Sequence, residues 1–254
     1  VEKIDYRMDE EQVPERVHIY KVESPVKDKL ESLGMLLRSL GDQSTIVFLN
    51  YRDSVERTNK YLVEQGFSTS FFHGGLEQKE RESSLYRFSN GSANILVSTD
   101  LASRGLDIPD IDNIIHYHMP ESEDGYIHRV GRTARWEAQG RAFFLLGPEE
   151  HIPDYVDAEV EDYEIPAVEE LPMPAKPKMA TLYIGKGKKD KISKGDILGF
   201  LCKKGGLNSS EIGKIDVNDR YAYAAIARPK LRSVLNNVKG EKIKGVKTIV
   251  EEVR

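Results

Sequence analysis

The densest group of side chains that could do chemistry lies in YIHRVGRTAR, residues 126–135, which holds one histidine and three arginines. Helical spacing predicts that His128, Arg132 and Arg135 share one face, at positions i, i+4 and i+7. Arg129 would then point elsewhere, toward a strand end or a carboxylate. A guanidinium keeps its charge and offers a planar fork of donors, so two of them on one face suit the terminal oxygens of a phosphate. The alternative is an exposed basic helix whose charges are paired with the many acids of this chain.

Two other segments hold residues that could contact phosphates or a nucleotide. FFHGGLEQKERE spans residues 71–82, and STDLASRGLDI spans residues 98–108. The residues of interest are Gly74, Gln78 and Arg81 in the first segment and Thr99, Arg104, Gly105 and Asp107 in the second. From their types alone, Thr99 and Gly105 could serve only a tight turn, and Asp107 could only cap a helix.

Short apolar strands alternating with helices would position these segments. Six β-branched or aromatic runs have the pattern of strands, at residues 18–23, 45–50, 68–74, 94–99, 113–118 and 141–147. Residues 27–40 and 54–66 have helical spacing. This α/β alternation predicts a parallel sheet covered by helices on both faces, with ligands at the loops beyond the carboxyl ends of the strands. A last helix around residues 152–160 and a strand at 163–165 are expected to complete this domain.

The charge distribution predicts a second domain. Residues 1–177 contain 19 Lys and Arg against 34 Asp and Glu, whereas residues 178–254 contain 18 against 8. Such a basic module is expected to face a polyanion such as a nucleic acid. Its strand and helix patterns follow the order βαββαβ, which predicts a small α+β fold with a four-stranded sheet and two helices on one face. This module resembles an RNA recognition motif. The predicted boundaries are an N-terminal extension at 1–16, the α/β domain at 17–166, a proline-rich linker at 167–177 and the basic domain at 178–254.

Two surfaces of the basic domain compete as RNA-binding sites. Sheet aromatics can stack on bases, and Tyr183, Tyr221 and Tyr223 are placed on one face of two neighbouring strands. The other surface is a lysine-rich loop and helix start, formed by Lys186, Lys188, Lys189, Lys191 and Lys194, with Arg220 nearby. The tyrosines could instead only pack, and the lysines could be a plain solvated face.

Several classes of protein are not expected. The longest apolar runs are far shorter than the roughly 20 residues of a membrane span, so no membrane association is expected. The single cysteine, Cys202, has no internal disulfide partner and no evident metal ligands around it. A monomer in a reducing, cytoplasmic setting, without a bound metal of its own, is the default expectation.

The three segments of the first domain resemble the C-terminal RecA-like domain of DEAD-box RNA helicases. The family pattern HRxGRxxR matches from His128 to Arg135, TDxxxRGxD matches from Thr99 to Asp107, and QxxR matches Gln78 and Arg81. One departure is Ala134, at a position where the family usually has glycine, and we expect it to be tolerated.

This resemblance implies a role for each matched position. Arg132 and Arg135 would be arginine fingers on the γ-phosphate of ATP, with His128 ordering the water around it. Asp107 would accept from the ribose hydroxyls, and Gly105 would let the backbone approach the nucleotide. The implied contacts to RNA come from Gly74, Gln78, Arg81, Thr99 and Arg104.

The family's phosphate-binding segments do not occur in this sequence. There is no G-x-x-x-x-G-K-[ST] loop and no Asp-Glu-Ala-Asp block. We therefore expect this chain to be a fragment of a larger protein, in which a preceding RecA-like domain mainly holds ATP and Mg²⁺. The fragment alone is expected to bind ATP poorly and to hydrolyse none.

The basic domain resembles the DbpA-type RNA-binding domain of some bacterial DEAD-box proteins. That resemblance implies that the basic domain docks on structured large-subunit ribosomal RNA. It also implies that the whole protein is a helicase whose partner is RNA and which remodels that RNA during ribosome assembly. Two alternatives stay open: a non-catalytic RNA-binding or chaperone-like scaffold, and a DNA-directed helicase that shares the RecA-like half.

Overall fold

The computed structural model describes residues 13, 16–134 and 139–254. Contacts divide the chain into two units. The first contains the chain up to Leu85 together with Asn94–Lys176, and the second contains Tyr86–Ala93 together with Pro177–Arg254. The second unit therefore includes Tyr86–Ala93, a segment that the sequence did not assign to it.

The first unit is built on a seven-stranded sheet in which every pairing is parallel, in the order β3-β4-β2-β5-β6-β1-β7. Its strands are β1 (Val17–Glu23), β2 (Thr45–Phe48), β3 (Thr69–Phe72), β4 (Ile95–Ser98), β5 (Asn113–His116), β6 (Gly140–Leu146) and β7 (Val160–Asp162). The three neighbouring strands β4, β2 and β5 are buried along their whole length, as their continuous apolar pattern predicts. The predicted parallel α/β sheet is confirmed.

Four helices connect these strands: α1 (Leu30–Leu40), α2 (Arg52–Glu64), α3 (Gln78–Ser89) and α4 (Glu123–Val130). Right-handed crossovers place α1 and α2 on one face of the sheet and α3 and α4 on the other. On the first face, Leu33 and Leu37 of α1 and Leu62 of α2 are buried in one core cluster with Val47 and Val97 of the sheet. The predicted covering of both faces is confirmed.

The predicted end of this domain is wrong in detail. Residues 152–160 do not form a helix, and the last strand is Val160–Asp162 rather than 163–165. A helix there would place the carboxylates of Asp154 and Asp157 three residues apart, and like charges at that spacing destabilise a helix. The strand forms instead because it adds to the edge of the sheet beside β1.

The second unit has the predicted βαββαβ order. Its main elements are β8 (Met179–Ile184), α5 (Lys194–Lys203), β9 (Ile212–Val217), β10 (Ala222–Ala227), α6 (Leu231–Val238) and β13 (Val250–Val253). The sheet is antiparallel in the order β13-β8-β10-β9. A small hairpin, β11 (Lys242–Ile243) and β12 (Val246–Lys247), precedes the last strand.

One face of this sheet packs on both helices through Leu182, Ile184, Ile197, Leu201 and Val234, all fully buried. The other face carries the tyrosines. Within the described residues, no helix is long and apolar enough to cross a membrane.

Candidate nucleotide and RNA interface

Arg129 joins the ends of three neighbouring strands at the carboxyl edge of the first sheet. Its fully buried guanidinium donates to both carboxylate oxygens of Asp100, after β4, at 2.6 and 3.0 Å. It also donates to the side-chain oxygen of Asn50, after β2, at 2.7 Å, and to the backbone oxygen of His118, after β5, at 2.8 Å. A fifth contact of 3.3 Å reaches Nδ1 of His116. All five N–H groups of the arginine have an acceptor, and we call these residues the Arg129 cluster.

The two histidines of this cluster are neutral at neutral pH. Burial and the charge of Arg129 hold the pKa of His116 well below its ordinary value. Burial, together with the nearby charge of Lys29, lowers the pKa of His118 to about 4. Neutral His118 accepts at Nδ1 from the backbone N–H of Asn50 at 2.9 Å. The Arg129–Asp100 pair therefore carries the charge of the cluster, at the carboxyl ends of β4, β2 and β5. The prediction that Arg129 points to a strand end or a carboxylate is confirmed.

The loop after β4 presents Gly105 and Asp107 and is braced by Arg132. Gly105 has a φ of 73°, in the left-handed region that favours glycine, and Asp107 is exposed. Arg132 is buried, and its guanidinium donates to the backbone oxygens of Ala102 at 3.0 Å and Leu106 at 2.9 Å. The loop can thus hold an exposed carboxylate in a fixed position, as binding of ribose hydroxyls would require.

The predicted common helical face of His128, Arg132 and Arg135 is wrong in its geometry. The helix α4 ends at Val130, a glycine follows, and Arg132 lies in the turn beyond. His128 stays in the last turn, where Nδ1 donates to the backbone oxygen of Asp124 at 2.8 Å. Arg135 lies outside the described residues.

The departure at Ala134 falls on a strained position. Ala134 is fully buried and has a φ of 54°. A glycine adopts this backbone conformation without the cost that the alanine Cβ meets. The sequence prediction that alanine is tolerated there stays a prediction.

Two further predicted residues border the loop after β4. Thr99 caps the short 3₁₀ turn Asp100–Ala102, and its Oγ1 accepts from the backbone N–H of Leu101 at 3.4 Å. Arg104 is exposed and forms an ion pair with Asp124 at 2.8 Å. An exposed pair of this kind is weak in water, so the Arg104 guanidinium can exchange partners.

The turn between β3 and α3 is held by Arg81. Its Nη2 donates to the backbone oxygen of Gly74 at 2.7 Å, and its Nε donates to that of Leu76 at 3.0 Å. Gln78 is exposed and bonds to Glu82 at 3.3 Å. Arg81, which the sequence assigns to an RNA phosphate, therefore has a bracing role in this structure, as Arg132 does.

The three predicted tyrosines of the second unit form one ring cluster. Tyr183 and Tyr221 stack with centroids 5.8 Å apart, and Tyr223 meets both rings edge-on at 6.1 and 5.5 Å. Tyr223 is buried, and it also stacks at 5.0 Å on Tyr86, which belongs to the same unit. Tyr223 is too buried here to stack on a base, whereas Tyr183 and Tyr221 are only half-buried.

The lysine-rich loop lies beside the turn that carries Arg220. The backbone N–H of Lys188 donates to the oxygen of Asn218, and that of Lys189 to the oxygen of Asp219, both at 2.8 Å. The basic rim, as we call it, consists of Lys186, Lys188, Lys189, Lys191, Lys194 and Arg220. Because Tyr221 follows Arg220 directly, the two RNA surfaces that the sequence left as alternatives are neighbours in the structure.

Carboxylates within the basic rim are used by the backbone. Asp190 accepts from the N–H of Gly187 at 3.0 Å, and Asp196 accepts from the N–H of Ser193 at 2.8 Å. The hydrogen bonds from Ser193 lower the pKa of Asp196. Ser193 and Asp196 form a capping box at the start of α5.

Sequence reasoning missed Asn50, His116 and His118 as members of the Arg129 cluster. One signal was available: each lies at or just beyond the end of an apolar strand. In the part of the chain that the structure describes, no group of three or more His, Cys, Asp or Glu side chains could hold a metal ion.

Comparison with known proteins matches both units. The model of the helicase conserved C-terminal domain matches residues 28–137, and that of the DbpA RNA binding domain matches residues 181–252. ATP-dependent RNA helicase DbpA of Escherichia coli is 35% identical over 228 residues, covering 88% of this chain and 50% of that protein. ATP-dependent RNA helicase DbpA of Bacillus subtilis is 30% identical over 245 residues, covering 86% and 51%.

A solved structure shares the fold of the first unit. The E. coli DEAD-box protein SrmB, bound to regulator of ribonuclease activity A, matches with a TM-score of 0.55 and 29% identity over 65% of this chain and 99% of that one. Together with the parallel sheet, these matches identify the first unit as the C-terminal RecA-like domain of a DEAD-box RNA helicase, and the chain belongs to that family. Within the family it is of the DbpA type, because its second unit is a DbpA RNA-binding domain. The chain spans about half the length of these curated relatives.

Proposed function

We propose that this chain is the C-terminal half of an ATP-dependent RNA helicase that locally unwinds or remodels structured RNA. The observation that carries the proposal is the Arg129 cluster, which fixes three loops at one sheet edge, among them the loop that presents Gly105 and Asp107. In the proposed enzyme, a preceding RecA-like domain with a phosphate loop and Mg²⁺-binding acids closes on this edge. Bound ATP supplies the phosphate bond whose hydrolysis is coupled to domain closure.

Each residue of the edge has a distinct task in this scheme. Asp107 accepts hydrogen bonds from the ribose, and the left-handed turn at Gly105 lets the backbone approach the nucleotide. Arg135 stabilises charge on the transferred phosphoryl group as an arginine finger, an effect worth about 10³–10⁵ in rate. Arg132 braces the loop in this structure and reaches the phosphate only if closure frees its guanidinium. His128 helps to order water beside Arg135.

RNA binding is shared between the two units in the proposed function. In the first unit, Arg104, Thr99, Gln78 and the turn at Gly74 hold a strand by its phosphates, which positions RNA without reading its sequence. Arg81 contributes by fixing that turn.

In the second unit, the basic rim tethers the enzyme to a structured RNA. We propose that this RNA belongs to the large ribosomal subunit, that the step is ribosome assembly, and that the protein acts as a cytoplasmic monomer.

The test uses a protein that contains the preceding domain. ATP hydrolysis should require RNA, and Arg135→Ala should lower turnover at least about 10³-fold while leaving RNA affinity unchanged. Arg132→Ala is less diagnostic, because loss of a buried brace also destabilises the fold. Turnover near the wild-type rate in Arg135→Ala would refute the finger role. An RNA-binding protein without any ATP turnover would favour the scaffold alternative, and preference for DNA over structured RNA would favour a DNA-directed helicase.

A further inference from the structure

A groove on the first unit runs between α1 and the segment that follows β7. Its volume is about 730 Å³, and its apolar lining includes Val26, Met35 and Ile165. Val26 is 55% exposed, whereas Ile165 is half-buried against the core cluster of this unit. Tyr163 also lines the groove and is fixed by an edge-on ring contact with Phe143 at 5.1 Å. The α1–β7 groove, as we call it, therefore has a preformed apolar surface.

Acidic residues surround this apolar surface. Glu23, Glu31 and Glu164 line the groove and are exposed, and none of the three has an ion-pair partner among the described residues. Asp162 lines it as well and pairs with Lys21 at 3.4 Å, but its side chain is 75% exposed and such a pair is weak in water. Carboxylates around an apolar surface favour a ligand that carries cations on either side of an apolar group. They repel a polyanion such as RNA.

The strand beside the groove has a free edge. β7 is the last strand in the order of the sheet, so within the described residues only β1 pairs with it. The N–H of Tyr163 donates to the backbone oxygen of Lys21 at 2.9 Å. Because successive residues of a strand direct their backbone groups to opposite sides, those of Val160 and Asp162 point away from β1. Such an edge can take an extended peptide as a further strand.

The charge of this edge selects among possible strands. Glu161 and Asp162 are two of the three residues of β7, and both are exposed. A second copy of the same acidic edge would be repelled, whereas a basic strand would be attracted.

We propose that the α1–β7 groove binds an extended, basic segment of a partner protein. The segment adds to β7, places one apolar side chain between Val26 and Ile165, and directs lysines or arginines to the surrounding carboxylates. The inference goes beyond the proposed helicase function and does not depend on it, because no residue of the groove belongs to the nucleotide and RNA interface described above.

The test titrates the isotope-labelled whole chain with short peptides and follows its backbone amide signals by NMR, which gives both the affinity and the location of binding. The basic probe is acetyl-Lys-Lys-Leu-Lys-Lys-amide. Three matched probes replace the leucine by serine, replace all lysines by glutamate, or methylate the backbone nitrogens. The basic probe should shift the amides of residues 160–165 and bind about 5-fold more tightly than the serine probe, because leucine loses apolar contact with water. The glutamate probe should not bind, and methylation should weaken binding by removing the donors to β7.

Two pairs of variants separate the groove from general charge and surface effects. Glu164→Lys reverses one charge of the groove and should weaken the basic probe about 3- to 10-fold. Glu64→Lys makes the same change at an exposed position of α2 outside the groove and should weaken it less. Val26→Thr keeps the shape and the charge and should remove most of the preference for leucine over serine. Val63→Thr, at a position with a similar exposure of 53%, should leave that preference unchanged.

Several outcomes would refute the inference. Equal losses in Glu164→Lys and Glu64→Lys would mean that the probe follows net charge alone, and shifts confined to other residues would place its site elsewhere. A serine probe that binds as tightly as the leucine probe would rule out the apolar contact. Sedimentation that shows a dimer of the wild type, dissociated by Glu164→Lys, would make a second copy the occupant instead of a partner protein. Circular dichroism checks that each variant stays folded.

Discussion

Replacing Arg129 tests whether the cluster at the sheet edge stabilises the first unit. The guanidinium is fully buried and makes five contacts, two of them to the Asp100 carboxylate. Removing one partner of a buried ion pair costs about 3–5 kcal/mol. The Asp100 side chain is 45% exposed and regains some water, so we expect Arg129→Ala to lower the free energy of unfolding by about 3 kcal/mol. Arg129→Lys keeps the charge but not the planar fork, and should lose about 2 kcal/mol.

The chain offers a matched control in a second arginine–aspartate pair. Arg57 and Asp28 are also 2.6 Å apart, but both side chains are more than half exposed. Exposed pairs contribute little because water solvates the separated charges equally well. Arg57→Ala should therefore change the free energy of unfolding by less than about 1 kcal/mol.

The assay is native-state hydrogen exchange in urea, read at the backbone amides of β2, β4 and β5. These strands belong to the first unit, so their exchange reports the unfolding of that unit. The reasoning would be refuted if Arg129→Ala lost no more stability than Arg57→Ala, because burial would then make no difference to the pair.

Two further predictions concern backbone fit and pH. An alanine at position 187 would place its Cβ against the backbone of Asn218, so Gly187→Ala should destabilise the second unit by about 1–3 kcal/mol. Gly199 lies within α5 with open space around its Cα, so Gly199→Ala should stabilise the same unit by about 0.5–1 kcal/mol. Hydrogen exchange in β9 and β10 measures both changes, and equal protection in the two variants would contradict them. Burial alone would raise the pKa of Glu150, but hydrogen bonds from Lys29 and the backbone leave it below its ordinary value. A lowered pKa means stability that is present above about pH 4.3 and lost as the pH falls further. The stability advantage of wild type over Glu150→Gln, measured by hydrogen exchange of the first unit, should therefore shrink on acidification. An advantage that grew would contradict a stabilising role for the Lys29–Glu150 pair.

Local pattern predicted most of the fold because the physical causes are local. Continuous apolar runs indicated buried parallel strands, and the spacing of apolar residues indicated α1 and α2. The start of α5 also has a local cause, since the capping box of Ser193 and Asp196 depends on residues three apart. The same reasoning failed at residues 152–160, where the strand β7 forms only because β1 offers a free edge.

The candidate site was predictable in its location but not in its contacts. Helical spacing could not show that α4 ends at Val130, before Arg132. Nor could it show that Arg81 and Arg132 donate to loop carbonyls, because those carbonyls are exposed or covered according to how the loops pack.

From its sequence alone, this chain was determined to be a DEAD-box helicase C-terminal domain joined to a basic DbpA-type domain, since motif residues and charge are properties of the chain itself. The tertiary structure decided which side chains are buried and which remain available. Asn50, Asp100, His118 and Arg129 lie far apart along the chain and meet only because parallel strands end at one edge. Burial and satisfied hydrogen bonds arise from that convergence, so no local pattern could identify the acceptors of Arg129.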